Sequence, residues 1–145
     1  MSETPLVRGP DTPHGETLWP VSVKAVVRSG DRVLLAYNER DEWELLGGKL
    51  ELDEEPRTAV AREVDEESGL SVEPGRLLDV WVYRIDDRRR VLIVTYDCPV
   101  DGVVEPTVSD EHRALGWWPW NEVADLPMPA GYVGSIELAY SLAGW

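Results

Sequence analysis

Short runs of apolar and β-branched residues alternate with turn-forming residues along most of the chain, a pattern that predicts strands joined by hairpins. The first run, residues 21–28, is followed by Ser29-Gly30-Asp31, which favours a tight turn, and by a second run at 32–37. Gly47-Gly48 is predicted to break the third strand. This third strand and the later ones are predicted at 43–46, 77–85, 91–97 and 114–118.

One segment, residues 54–68, has the flanking signals of a helix. Asp53 is placed as its N-cap, Pro56 falls in the first turn, and Gly69 stands where a helix ends. Hairpin strands combined with helices predict an α+β or layered αβα domain. A short helix and a closing helix are predicted at 121–126 and 135–143.

The 145 residues are enough for one compact domain, which we place at residues 17–145. Residues 1–16 contain three prolines and no apolar block, so they are predicted to be a flexible N-terminal tail rather than a signal peptide. The single cysteine, Cys98, excludes an internal disulfide and favours a reducing, cytoplasmic location. No run approaches the roughly 18 apolar residues of a membrane span.

The formal net charge is −14, from 28 acidic and 14 basic residues. Nucleic-acid polymers and anionic membranes are bound through basic patches, so neither is expected as a tight partner. Cations, metal-complexed ligands and small molecules remain as candidates.

Much of the acid is concentrated on the predicted helix. At about 100° per residue, Glu63, Glu66 and Glu67 fall within an arc of about 100°. Like charges at these spacings repel one another and favour a hard cation such as Mg²⁺ or Mn²⁺. A solvated acidic face is the alternative. The preceding loop favours the cation, because its glycine pair lets the backbone approach a ligand and two further acids follow at once.

The sequence contains Gly48, then Glu54 after five intervening residues, and then the run 62–70 after seven more. This motif resembles the Nudix box in every defined position. The motif covers 23 residues, and the chain is therefore similar to the MutT-like Nudix hydrolases. Two flanking positions depart from the usual pattern: Leu46 stands where Pro is commoner, and Asp53 where Gly is common.

The resemblance implies a mixed β-sheet sandwiched between helices and the hydrolysis of a pyrophosphate bond with Mg²⁺, or with Mn²⁺. The substrate implied is a nucleoside diphosphate linked to another group. By motif position, Glu63 and Glu67 are expected to be metal ligands, with Glu66 a ligand or a residue that positions water. The set of expected metal ligands is completed by the Gly48 carbonyl and by Glu51.

The same resemblance assigns catalytic roles. Arg62 is expected to hold the acids through ion pairs, with Glu54 as its partner. The general base that takes a proton from water is left open between Glu66, Glu51 and Glu111.

Three basic residues, Lys49, Arg40 and Arg28, are candidates to bind substrate phosphates, and Lys49 is favoured because it adjoins the motif glycine. A nucleobase of the substrate could stack on the tryptophans at 117, 118 and 120, although core or interface packing is favoured for these side chains. The short chain favours a nucleoside triphosphate or a similar small nucleotide.

A non-catalytic Nudix-fold domain that senses a nucleotide is the alternative function, which the intact motif disfavours. A homodimer is left open as a further partner, and an exposed Trp145 would suit it.

Overall fold

The computed structural model describes residues 18–102 and 114–145. Within these ranges six strands form one sheet, and two α-helices and a 3₁₀ turn accompany it. The strands are β1 (Val21–Ser29), β2 (Arg32–Tyr37), β3 (Trp43–Lys49), β4 (Leu77–Arg84), β5 (Arg90–Pro99) and β6 (Ala114–Pro119). The helices are α1 (Pro56–Ser68) and α2 (Ala130–Leu142), and the 3₁₀ turn is Trp120–Asp125.

The sheet has the strand order β4-β5-β1-β3-β2-β6. β1 and β5 run parallel, and every other neighbouring pair is antiparallel. A mixed sheet follows because β1 and β5 are separated by three strands and a helix, which gives the chain length that a parallel return needs. The predicted α+β fold with a mixed sheet is confirmed.

The two faces of the sheet are covered by different helices. On β1, Val23 and Val27 belong to the apolar cluster that contains Val60 and Val64 of α1. Val26 belongs to the cluster on the other face, formed with α2. Since successive strand residues point to opposite faces, the unbroken apolar run at 25–27 of β1 follows from the burial of both of its faces. The α2 residues of this second cluster are Tyr132, Ile136, Ala139 and Tyr140.

The glycine pair does not break β3, which continues to Lys49. Gly47 has a φ of 144°, and a Cβ atom there would lie 2.0 Å from the carbonyl oxygen of Val23. A side chain is excluded at this position by the neighbouring strand, so the glycine permits close strand approach rather than a turn.

The predicted helix boundaries also needed correction. α1 begins at Pro56 after Glu55, which makes no side-chain capping bond, so Asp53 is not the N-cap. Asp53 instead has a φ of 65°, a left-handed conformation that Asp tolerates better than most residues. Gly adopts this left-handed backbone freely, which is consistent with the motif position being one where Gly is common. α2 begins at Ala130, five residues before the predicted start, and Gly69 ends α1 as predicted.

The predicted tail, residues 1–16, lies outside the described residues. Among the helices that are described, none combines the length and the apolar character needed to cross a membrane.

We expect Gly47→Ala to destabilise the fold by about 3 kcal/mol or more, because the new Cβ both meets β1 and takes a φ that L-residues avoid. Gly134→Ala is the matched control, since Gly134 lies in α2 with nothing within 4 Å of its Cβ position. That control is expected to stabilise by about 0.5–1 kcal/mol. Chemical denaturation measures both, and equal effects of the two substitutions would contradict the assignment.

Candidate functional site

One cavity of about 670 Å³ lies where β1, β3 and α1 meet the strands β4 and β5 and helix α2. Its lining divides into two halves with different chemistry. The acidic half is formed by Gly47, Gly48, Glu51, Glu63 and Glu67. The aromatic half is formed by Lys24, Glu44, Tyr83, Val91, Ile93 and Tyr132.

The acidic half depends on the glycine pair of β3. Glu67 is only 2% exposed, and its Oε1 accepts a hydrogen bond of 2.7 Å from the Gly47 N–H. A Cβ atom on Gly48 would lie 2.6 Å from the carboxyl carbon of Glu63. The Glu63 carboxylate therefore packs directly against the backbone of Gly48, so the structure brings Gly48, Glu63 and Glu67 together.

Arg62 connects four carboxylates beside this cluster. Its Nε and Nη2 donate to Glu54 Oε2 and Oε1 at 2.7 and 3.0 Å, a bidentate geometry. Its Nη1 donates to Glu63 and Glu66, each at 3.1 Å, and Nη2 lies 3.8 Å from Glu51 Oε1. The guanidinium thus offsets the mutual repulsion of the acids on α1.

The Arg62 pairing perturbs both partners. The hydrogen bond from Arg62 holds the pKa of the Glu54 carboxyl below its ordinary value. The same bond is the largest cause of a raised pKa for the Arg62 guanidinium. Both groups are charged across the physiological range.

The donor set of the acidic half fits a hard divalent cation. Its side-chain donors are all carboxylate oxygens, and the missing side chain of Gly48 lets the Glu63 carboxylate lie against the backbone at the cavity wall. Within residues 18–102 and 114–145, no three Asp, Glu, His or Cys side chains already stand together as a complete ligand group. The ligand assignments made from the motif therefore stay predictions.

The aromatic half contains a charged residue that the sequence pattern did not single out. Lys24 is 7% exposed, and its Nζ donates to the Leu45 carbonyl at 3.2 Å. The same Nζ lies 3.9 Å from Glu44 Oε2 and 5.7 Å from the centre of the Tyr132 ring. Burial alone would lower the pKa of Lys24, but the charge of Glu44 and of the acidic half raises it above its ordinary value. The available signal in the sequence was a lysine directly flanked by Val23 and Ala25 in a predicted strand.

The rest of this half is formed by flat and branched apolar side chains. Tyr83 and Tyr132 meet edge to face, with ring centres 6.4 Å apart, and Val91 and Ile93 lie beside them in the lining. Burial raises the pKa of Tyr132 to about 12, so its hydroxyl stays neutral. Such walls suit a flat heterocycle more than a polyanion.

The predicted phosphate-binding residues separate into two groups. Lys49 and Arg40 line the cavity, although Arg40 also lies 3.6 Å from Glu42 and from Glu44. Arg28 is not in its lining, because its guanidinium is paired with Asp97 at 2.7 and 2.9 Å.

The candidate stacking residues Trp118 and Trp120 lie away from the cavity, and one candidate general base lies outside the described residues. Trp118 packs edge to face on Trp43 at 5.1 Å, and Trp120 stacks on Tyr140 at 5.0 Å, so the favoured packing role is confirmed for both. Glu111 lies outside the described residues.

We expect the Glu54–Arg62 pair to give the fold a specific pH dependence. The pKa of Glu54 is depressed in the folded protein, so its stabilisation is complete above the ordinary value of 4.5 and is lost as pH falls through the folded pKa. The unfolding free energies of the protein and of Glu54→Gln should therefore differ near neutrality and converge in acid. Denaturant titrations over a pH series measure this, with Arg62→Met as the matched variant that removes the other partner. A difference that is the same at about pH 7 and about pH 2.5 would contradict the pairing.

Comparison with known proteins bears on this arrangement. The NUDIX domain family model matches residues 18–138. A MutT-like protein of Streptomyces ambofaciens is 43% identical over 110 residues, which are 74% of this chain and 69% of that protein. The diphosphoinositol polyphosphate phosphohydrolase NUDT4B of Homo sapiens is 40% identical over 122 residues, with 78% of this chain and 66% of that protein covered. The crystal structure of a MutT protein from Methanosarcina mazei Go1 matches with a TM-score of 0.76 at 24% identity, covering 88% of this chain and 96% of that one, and shares the fold.

Proposed function

The chain belongs to the Nudix hydrolase family, as a MutT-like pyrophosphohydrolase, and on this premise we propose that it hydrolyses a pyrophosphate bond in a nucleoside triphosphate or a similar small nucleotide, with Mg²⁺ or Mn²⁺ as cofactor. The observation that carries the proposal is the cavity itself, where carboxylates held at the glycine pair of β3 face an aromatic half of the same space. The lone cysteine supports a cytoplasmic location.

The acidic half would hold the metal. We assign Glu63 and Glu67 as its ligands, with the Gly48 carbonyl, Glu51 and Glu66 as further members of the set. A bound divalent ion neutralises diphosphate charge and lowers the pKa of bound water. The chain supplies the placement: the Gly47 N–H orients the Glu67 carboxylate, and the Gly48 backbone leaves space for that of Glu63.

The surrounding groups would orient the acids and the phosphates. Arg62 keeps Glu54, Glu63 and Glu66 in fixed positions through its hydrogen bonds. Glu66, Glu51 and Glu111 remain the candidates for the general base. Lys49 ends β3 directly after Gly48 and lines the cavity, so it would meet a phosphate bound next to the acidic half.

The charge of the cavity favours a nucleotide over a polyphosphorylated ring such as the human relative's name implies. A ligand with many phosphates needs a cluster of cations that are free to bind it. Here Arg40 is already shared between Glu42 and Glu44. The charged lining consists of the bases Lys24, Arg40, Lys49 and Arg89 and the acids Glu39, Glu44, Glu51, Glu63 and Glu67.

The proposed reaction is tested with a panel of nucleoside triphosphates, nucleoside diphosphate sugars and a diphosphoinositol polyphosphate, each with Mg²⁺ and with excess EDTA. We expect nucleotide turnover with Mg²⁺, little or none of the inositol compound, and background rates with EDTA because the acidic half then has no cation. Mass spectrometry of the products identifies the bond that is cleaved. Nucleotide binding without turnover of any compound would instead support a sensing domain.

We expect Glu67→Gln to lower kcat by about a hundredfold or more, because an amide keeps the hydrogen bond from Gly47 but loses the charge that holds a metal. The melting temperature should change little. Glu137→Gln on the exposed face of α2 is the control and should behave like the unchanged protein. If Glu67→Gln turned over substrate at the full rate at saturating Mg²⁺, Glu67 would not be a metal ligand.

A further inference from the structure

Lys24 is held as a charged donor with unused capacity. An ammonium group has three N–H donors, and within the described residues Lys24 makes one hydrogen bond, to the Leu45 carbonyl at 3.2 Å. Its ion-pair partner, the Glu44 carboxylate, has an oxygen at 3.9 Å, which is outside hydrogen-bond distance. A buried donor of this kind is costly unless a partner is supplied. Lys24 lines the cavity, so a ligand there could supply one.

The backbone makes room for this lysine. Gly47 is the cross-strand partner of Lys24, and a Cβ on Gly47 would lie 2.9 Å from Lys24 Cδ. The lysine stem therefore runs over the space that a side chain at position 47 would fill. Its Nζ is directed to the aromatic half, where Tyr132 lies at 5.7 Å.

We infer that Lys24 is a specificity-determining residue that donates a hydrogen bond to a ring carbonyl oxygen of the nucleobase, so that the enzyme favours bases with a ring carbonyl over adenine. The inference rests on the proposed function. Glu44 stands beside Lys24 as an acceptor for a base N–H, and the two together present the donor and acceptor that such a base edge requires.

The surroundings of Lys24 argue against a phosphate as its ligand. A phosphate oxygen bonded to Nζ would be brought towards the Glu44 carboxylate, which lies 3.9 Å from that nitrogen and would repel it. Tyr83, Tyr132 and Ile93 add flat and apolar contacts around the same space. These contacts match a heterocycle, and Lys49 remains available for phosphate next to the acidic half.

Adenine leaves the site unsatisfied. It carries an amino group where hypoxanthine and guanine carry a carbonyl, so it presents a donor to a donor and offers Lys24 no acceptor beyond the Leu45 carbonyl that the lysine already uses. A lost hydrogen bond to a charged group corresponds to a factor of about 10–100 in binding or in kcat/KM. Inosine and adenosine triphosphates form a matched pair, because the change from one to the other is confined to the purine edge at C6 and N1.

The test compares kcat/KM for inosine triphosphate and adenosine triphosphate in the full-length protein and in Lys24→Met. We expect a preference for inosine of about tenfold or more in the unchanged protein, falling to within about threefold in the variant, mainly through KM. Lys49→Met is the matched control: it removes a cation from the same cavity and should weaken both substrates together, leaving their ratio unchanged. An unaltered ratio in Lys24→Met, or no preference at the outset, overturns the inference.

Two additions keep the result interpretable. If Lys24→Met does not fold because the buried Glu44 carboxylate loses its neighbouring ammonium group, the double variant Lys24→Met/Glu44→Gln removes both charges. Calorimetric binding of inosine and adenosine diphosphates, with Ca²⁺ replacing Mg²⁺, measures the same preference without turnover. If no nucleotide is hydrolysed but binding still shows a preference that depends on Lys24, the proposed reaction is wrong and the role of Lys24 in base recognition stands. If nucleotides are hydrolysed but binding shows no such preference, the reaction stands and the role of Lys24 is wrong.

Discussion

The structure depends on one buried hydrogen bond, from the Gly47 N–H to the carboxylate of Glu67. A carboxylate that is 2% exposed needs such a donor, and the Gly47 backbone, with its unusual φ, provides one. The bond fixes the rotation of α1 against β3. Glu63, one turn earlier, then meets Gly48, and Arg62 is left on the outer side where it reaches Glu54. The arrangement of the whole acidic half follows from this contact.

Two cations balance the acid in different ways. Arg62 is partly exposed and spreads its donors over several carboxylates, so it organises groups that water also reaches. Lys24 is buried and makes a single hydrogen bond among the described residues, so its charge is available to whatever enters the cavity. One cation is used within the protein, and the other faces the ligand space. The net charge of −14 therefore conceals a cavity in which lysine and arginine side chains stand beside the carboxylates.

Local signals in the sequence predicted the strands and helices well, but they predicted the contacts between these elements poorly. The β1–β2 hairpin and the end of α1 at Gly69 follow from turn and capping residues that act on their immediate neighbours. Gly47-Gly48 was misinterpreted as a strand break because the reason for the glycine, the approach of Val23, comes from another strand. Lys24 and Arg28 share that difficulty. Both lie on β1, but Lys24 pairs with Glu44 of β3 and Arg28 pairs with Asp97 of β5. The sequence of β1 alone therefore predicts neither pairing.

The parallel pairing of β1 with β5 has a consequence for how the site is completed during synthesis. Residues 43–68, which carry most of the acidic half, are contiguous and can dock on β1 as soon as they are made. The aromatic half must wait for β4, β5 and finally Tyr132 of α2, and contacts that span so much chain form slowly. The acidic half is thus encoded in one short segment, whereas the aromatic half is distributed over the chain. Substitutions in β4, β5 or α2 can therefore reshape the aromatic half while the acidic half stays untouched, a division that suits a fold on which different sites can be built.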